Sequence, residues 1–256
     1  VEESLMNIIF CEDYGELSRR AAAIVASQII LKPNSVIGFA TGATPIGLYE
    51  ELVSSYKKGE ISFADIRAFN LDEYLGVSRQ TPTSFYAFMQ DNLFAHVDVK
   101  SENTDIPDGQ AADIDAECAR YTEALDMVSG GIDLQILGIG ANGHIGFNEP
   151  DDHFELDTHV VELAESSIEG QKPFFDDHGK IPTKGVTMGI RAIIAAKQIL
   201  LLASGEGKAG ILREALFGPV KPQVPASILQ LHDCVSVVAD RAALGKILEK
   251  YPECVL

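Results

Sequence analysis

The sequence predicts an α/β fold: a single-domain, three-layer α/β/α arrangement over residues 1–256, with helices covering both faces of a mostly parallel sheet. Three observations lead there. Apolar runs of strand length alternate with amphipathic segments of ten or more residues. Apolar residues make up 46% and charged residues 23% of the 256 residues, a balance that can fill one sizeable core. No repeat, low-complexity tract or Pro/Gly/Ser-rich linker divides the chain.

Taken in order, residues 7–10 (NIIF) read as a short strand and 14–31 as a helix with an Ala/Ile/Val face. Residues 35–40 (SVIGFA) form a buried strand, followed by a Gly/Thr turn and a helix from Pro45 to about Lys57. A strand is predicted at 65–70 and helices at 83–95 and 111–128. Residues 132–137 are the most apolar strand, bounded by glycines, and 158–163 read as another. A polar stretch then runs through Lys184. The strand 199–203 leads into a helix over 205–217, and the strand 235–239 with the helix after it ends the domain. Ligands of such sheets bind beyond the carboxyl ends of the strands, so the loops there are where function is expected.

Composition narrows the partners. A net charge of −18 repels nucleic acid and anionic membrane. No apolar run reaches the roughly 18 residues of a membrane span, and the opening VEESLMNIIF lacks the order of a signal peptide. A cytoplasmic location is therefore the expectation. Cys11, Cys118, Cys234 and Cys254 form no CxxC pair, which disfavours a zinc ribbon or disulfide framework.

Four strand-end loops stand out. In Thr41-Gly42-Ala43-Thr44-Pro45, Thr44 suits an N-cap and Pro45 a first helical position. Free N–H groups there, with the helix dipole, can hold an anion, although plain helix capping uses the same residues. In Ser204-Gly205-Glu206-Gly207-Lys208, the lysine faces the positive end of a helix, which makes sense beside a bound anion; a solvated surface lysine is the alternative. It is not a Walker A loop, because the GxxxxGK[ST] spacing is missing. Asp72-Glu73, directly after a strand, reads either as a capping pair or as a general base at Asp72 whose pKa is raised by shielding from water. The fourth loop, GIGANGHIGFNEP from Gly138 to Pro150, sets His144 among glycines with Asn142 and Glu149 nearby. Histidine moves protons near neutral pH, and a carboxylate can fix its tautomer. Its GxGxxG (Gly138, Gly140, Gly143) also matches a dinucleotide fingerprint, with Glu162 at the distance of a ribose-binding acid. No helical period follows, however, and Pro150 interrupts.

Across these loops the sequence resembles the glucosamine-6-phosphate deaminase (isomerase) family. The matching stretches are GFATGATPIGLYEEL, FNLDEYLG, TSFYAFM, GIGANGHIGFNEP, VTMGI, LLASGEGKAGIL and ILQLH, in the family's order and spanning nearly the whole chain. The resemblance implies a modified Rossmann-like sheet. It also implies an aldose–ketose isomerisation of glucosamine 6-phosphate coupled to loss of ammonia. On that pattern Asp72 moves the C2 proton toward C1, His144 assists ring opening, and Glu149 with Asn142 orients His144. Thr41, Gly42, Ala43, Thr44 and Lys208 fall on the phosphate-binding positions. Neither cofactor nor metal is implied. Monomers and hexamers both occur in the family, so a homo-oligomer stands as an expectation to be tested.

Three departures matter. Position 142 is Asn where some members have Asp, leaving one carboxylate beside the histidine. Pro173 stands where the family often has a phosphate-binding Arg, with Lys172 the neighbouring substitute, a point charge without a bidentate fork. Activated members carry basic residues after the NEP motif, where this chain has DDHFELDTHVVEL. Activation by N-acetylglucosamine 6-phosphate is therefore expected to be absent. Galactosamine 6-phosphate as substrate and a non-catalytic sugar-phosphate sensor are the competing readings. No basic helix-turn-helix accompanies the domain, as sensors of this type have.

Overall fold

Seven strands of the structure, a computed structural model describing residues 6–175 and 181–256, form one sheet in which every neighbouring pair is parallel. Residues 1–5, part of the segment scanned for a leader, and 176–180, in the polar stretch, lie outside the described residues. In chain order the strands are β1 (Met6–Cys11), β2 (Val36–Phe39), β3 (Arg67–Asn70), β4 (Asp72–Tyr74), β5 (Thr104–Asp105), β6 (Leu134–Gly138), β7 (His159–Glu162), β8 (Lys184–Thr187), β9 (Ile199–Ala203) and β10 (Val235–Asp240). The large sheet runs β1-β10-β9-β6-β2-β3-β5. β4, β8 and β7 make a separate antiparallel sheet.

The helices are α1 (Tyr14–Leu31), α2 (Ile46–Lys57), α3 (Phe85–Asn92), α4 (Ile114–Asp126), α5 (Glu165–Phe175), α6 (Ile190–Ile194), α7 (Ala209–Phe217) and α8 (Arg241–Lys250). Their starts follow capping chemistry. Asp13, Ser84, Asp113 and Asp240 each accept an N–H of the following first turn. Central strands such as Ile199–Ala203 are buried throughout, because helices cover both faces.

The chain first moves outward from β2 through β3 to β5, then returns on the other side of β2 through β6 and β9. The order therefore reverses between β2 and β6, and a crevice opens there at the strands' carboxyl ends. The strands β9, β6, β2 and β3 are consecutive in the sheet, and each is followed by one of the four loops singled out above. A second apolar cluster of Tyr74, Phe85, Ile106, Phe147, Leu163 and Phe175 packs around the small sheet.

Some elements differ from expectation. The predicted strand at 158–163 exists as β7 but belongs to the small sheet rather than the parallel one. The polar stretch contains α5 and leads into β8. Pro45 occupies the N-cap position of α2 with no side-chain cap from Thr44. The hydroxyl of Tyr14 takes that role instead, accepting the Gly47 N–H at 2.9 Å.

Candidate active site

The four loops enclose a cleft of about 380 Å³. One side is the turn Thr41–Thr44, where Gly42 has φ +101°, a value that glycine adopts at little cost, and nothing crowds its Cα. Tyr14 donates to the carbonyl of Thr44 at 3.0 Å while accepting from Gly47, so α1 fixes this turn. Lys208 also lines the cleft and is the sole lysine or arginine to do so among the described residues. It sits at the N-cap of α7, after a 3-10 turn over Glu206–Lys208. Burial lowers its ammonium pKa, and among the described residues no carboxylate pairs with it. A half-buried, unpaired cation opposite open backbone amides is suited to an anion with several oxygens.

Asp72 forms the floor. It is 4% exposed, and burial, then the neighbouring Glu73 charge, holds its acid well above the usual carboxylate range. No protein group among the described residues donates to its carboxylate, so its lone pairs remain available to a ligand. The adjacent Glu73 (1% exposed) is spent differently: it accepts N–H groups of Tyr74 (2.8 Å), Phe85 (3.0 Å) and Tyr86 (3.0 Å). The capping alternative for this pair therefore describes Glu73, which ties β4 to the start of α3, and does not describe Asp72.

The histidine loop reaches Asp72 through Gly146. With φ +57°, Gly146 brings its backbone so near that a β-carbon there would stand 3.4 Å from Oδ2 of Asp72. Asn148 donates to the carbonyls of Ile145 and Met188, both at 2.9 Å, and Phe147 N–H donates to Thr187 Oγ1 at 3.1 Å. These bonds fasten the loop to the end of β8. Within it, His144 Nδ1 lies 3.4 Å from Glu149 Oε2.

Glu149 is buried, which works to raise its pKa. Hydrogen bonds from His144, Ser167 and Asn142, with the charge of His144, outweigh that and leave it below the usual value. Its other oxygen accepts Ala164 N–H at 3.3 Å, at the start of α5. Asn142 acts on the ring only indirectly. Its Nδ2 donates to Glu149 at 2.7 Å and to Ser166 at 3.3 Å, and its Oδ1 accepts the backbone N–H of His144 at 3.2 Å.

The structure thus brings together Thr41, Gly42, Ala43, Thr44, Asp72, His144 and Lys208 on one cleft, with Glu149 and Asn142 behind the histidine. It does not bring Lys172 there: that ammonium pairs with Glu169 at 3.2 Å on the exposed face of α5. Pro173 lies in α5, and its side chain is outside what is described. Glu162, the acid of the dinucleotide reading, pairs with Lys184 at the solvent edge of the small sheet. No helix follows Gly143, so that reading falls. Sequence reasoning missed Ser166, Ser167 and Gly170, which line the cleft from α5. The only signal for them was a Ser-Ser pair in a stretch read as polar loop. Among the described residues no cluster of His, Cys, Asp or Glu is arranged to hold a metal ion, and no helix is long and apolar enough to cross a membrane.

Comparison with known proteins adds an independent line. A family model described as glucosamine-6-phosphate isomerases/6-phosphogluconolactonase matches residues 14–238. A relative from Clostridium botulinum named glucosamine-6-phosphate deaminase is 50% identical, covering 94% of this chain and 99% of its own. One of the same name from Lachnoclostridium phytofermentans is 53% identical over 91% of this chain and 98% of its own. Among solved structures, a monomeric glucosamine-6-phosphate deaminase matches with TM-score 0.91 and 44% identity, covering 94% of this chain and all of that one. A 6-phosphogluconolactonase from Leishmania guyanensis matches with TM-score 0.72 at 20% identity over 93% of this chain and 97% of its own, a likeness of fold.

Proposed function

Because the chain belongs to the glucosamine-6-phosphate isomerase/6-phosphogluconolactonase family, we propose that it converts glucosamine 6-phosphate and water to fructose 6-phosphate and ammonia. The observation that carries this reading is Asp72, a buried carboxylate with no protein donor among the described residues, on the same cleft as His144. The names of the 50% and 53% identical relatives support the same substrate.

In this reading the phosphate sits on the amides and hydroxyls of Thr41–Thr44 with Lys208 as counter-charge. Lys172 has no part in it, since its ammonium is held by Glu169. His144 transfers a proton at the ring oxygen as the sugar opens. Asp72 then takes the proton from C2, and the C2–C1 enolamine forms. Return of that proton to C1 leaves an iminium at C2. Water adds there, and the amine departs as ammonia. A carboxylate whose pKa is raised by burial is a stronger base toward a carbon-bound proton than an exposed one. Glu149 holds His144 through Nδ1, which leaves Nε2 for the substrate.

The test is ammonia release from glucosamine 6-phosphate and galactosamine 6-phosphate, run beside hydrolysis of 6-phosphogluconolactone. Ammonia from the first at the highest kcat/KM is expected. Hydrolysis of the lactone alone would overturn the reading, and binding without turnover would favour a sensor. We further propose that the chain acts as a monomer in the cytosol. The 44% identical solved relative is described as monomeric, and the four cysteines are free thiols. Light scattering at about the chain mass of 27.6 kDa is the expected result.

A further inference from the structure

We propose that Ser167 is a positioning residue of the histidine relay: its hydroxyl bridges His144 Nδ1 and Glu149, so that α5 must be seated for the imidazole to be held. The proposal deepens the deaminase reading and rests on it.

Ser167 Oγ lies 3.2 Å from His144 Nδ1, nearer than Glu149 Oε2 at 3.4 Å. An N–H···O bond is best near 2.9 Å and weakens beyond about 3.2 Å. Glu149 alone is thus a poor anchor for the ring. A hydroxyl can accept one hydrogen while donating another, whereas a carboxylate only accepts. Ser167 can therefore take the Nδ1–H and pass its own hydrogen to Glu149. Glu149 Oε2 approaches the same nitrogen at 3.4 Å, which sets the carboxylate beside the hydroxyl, and interaction with Ser167 is among the causes that keep Glu149 acidic despite its burial. Ser167 is 7% exposed, so water is a poor substitute for it.

Helix α5 is fastened at both ends to residues that back the cleft. At its start Ser166 accepts from Asn142, and Ala164 N–H reaches Glu149. At its end Phe175 meets Tyr74 edge-on with ring centroids 5.5 Å apart, two residues from Asp72. Ser167 lies between these anchors, and its hydroxyl points at the ring that the opposite loop supplies. With Nδ1 protonated and bonded, Nε2 is the bare nitrogen, and no protein group among the described residues competes for it.

The test compares Ser167→Ala with Ser167→Thr. Alanine is expected to lower kcat about 10- to 100-fold, the range seen when the partner orienting a functional histidine is removed, with KM within about twofold. Threonine keeps the hydroxyl and is expected to restore kcat. In the ligand-free protein, ¹⁵N NMR of the imidazole should show the Nδ1–H tautomer in wild type and Ser167→Thr, and a tautomer mixture in Ser167→Ala. Wild-type kcat together with an unchanged ¹⁵N pattern in Ser167→Ala would overturn the proposal. So would a kcat loss that threonine fails to restore while far-UV circular dichroism stays native. Should the wild type release no ammonia from any amino-sugar phosphate, the deaminase reading fails, and the ¹⁵N comparison still decides the role of Ser167.

Discussion

The ring of His144 lies against the backbone of Gly140 so closely that a β-carbon on Gly140 would fall 2.3 Å from Cε1. Gly140 is not among the glycines with positive φ, so alanine there tests space and not backbone strain. Gly140→Ala is expected to push the ring away from Ser167 and Glu149 and lower kcat about 100-fold, the loss that a displacement near 1 Å can cause. Circular dichroism should remain native, because the clash falls on one side chain at the edge of a cleft. Wild-type kcat in this variant would remove the geometric account of His144.

Asp72 sets activity against stability. Its folded pKa is raised, so its contribution to folding is favourable below the ordinary value of 3.8 and is lost as pH rises through the folded value. At neutral pH burial of this acid therefore destabilises the fold relative to acid pH. Asp72→Asn is expected to lower kcat at least about 100-fold while raising Tm at pH 7 by about 2–4 °C, which is what 1 kcal/mol gives in a chain of this size. The gain should vanish near pH 3. The acid limb of wild-type kcat/KM should lie well above pH 4, since the base is lost as pH falls through the raised value. Equal Tm values for variant and wild type at pH 7 would contradict the burial account.

What the sequence made legible follows from which forces act locally. The strands β2, β6 and β9 were visible as continuous apolar runs, because burial on both faces demands them. His144, Asp72 and Lys208 were visible because strand-end loops are where such sheets bind ligands. Helix α5 was not, because its polar residues Glu165, Ser166 and Glu169 face water or the cleft, and its anchor, Phe175, packs on a sheet formed from distant segments. The cap of α2 was misassigned to Thr44 for a similar reason. Its real acceptor, the Tyr14 hydroxyl, is 33 residues from Gly47, and no local pattern records that meeting.

Lys208 is the one lysine or arginine that lines the main cleft among the described residues. Its pKa is lowered by burial, so the charged form costs stability below the folded value and that cost disappears at high pH. Lys208→Met is expected to be at least as heat-stable as wild type without ligand. KM for the sugar phosphate should rise about 10- to 100-fold, because one hydrogen bond to a charged group is worth about 1.5–3 kcal/mol. Inorganic phosphate should raise the wild-type Tm with concentration and leave the variant unmoved. Phosphate stabilising both equally would relocate the anion site.

The Tyr14 hydroxyl donates to Thr44 carbonyl and caps Gly47, so it shapes the turn Thr41–Thr44 without lining the cleft. Tyr14→Phe removes the hydroxyl and keeps the ring. Loss of a helix cap costs about 1 kcal/mol, and a similar loosening of the turn should raise KM about three- to tenfold. kcat should stay within about twofold, since neither Asp72 nor His144 touches Tyr14. A fall in kcat at constant KM would place Tyr14 on the chemistry instead.

The residues after the NEP motif line a second cleft of about 290 Å³ behind Glu149, among them Asp151, Glu155 and Glu162, with no lysine or arginine among the described residues. His153 does not supply a lone cation, because it pairs with Glu155 at 3.0 Å and Asp151 at 3.8 Å, and those neighbours raise its pKa. A phosphate entering here meets carboxylates of its own sign. N-acetylglucosamine 6-phosphate is therefore expected to leave the rate curve for glucosamine 6-phosphate hyperbolic with unchanged half-saturation, apart from competition at the main cleft. A sigmoidal curve made hyperbolic by that compound would show that the acidic lining still admits a phosphate.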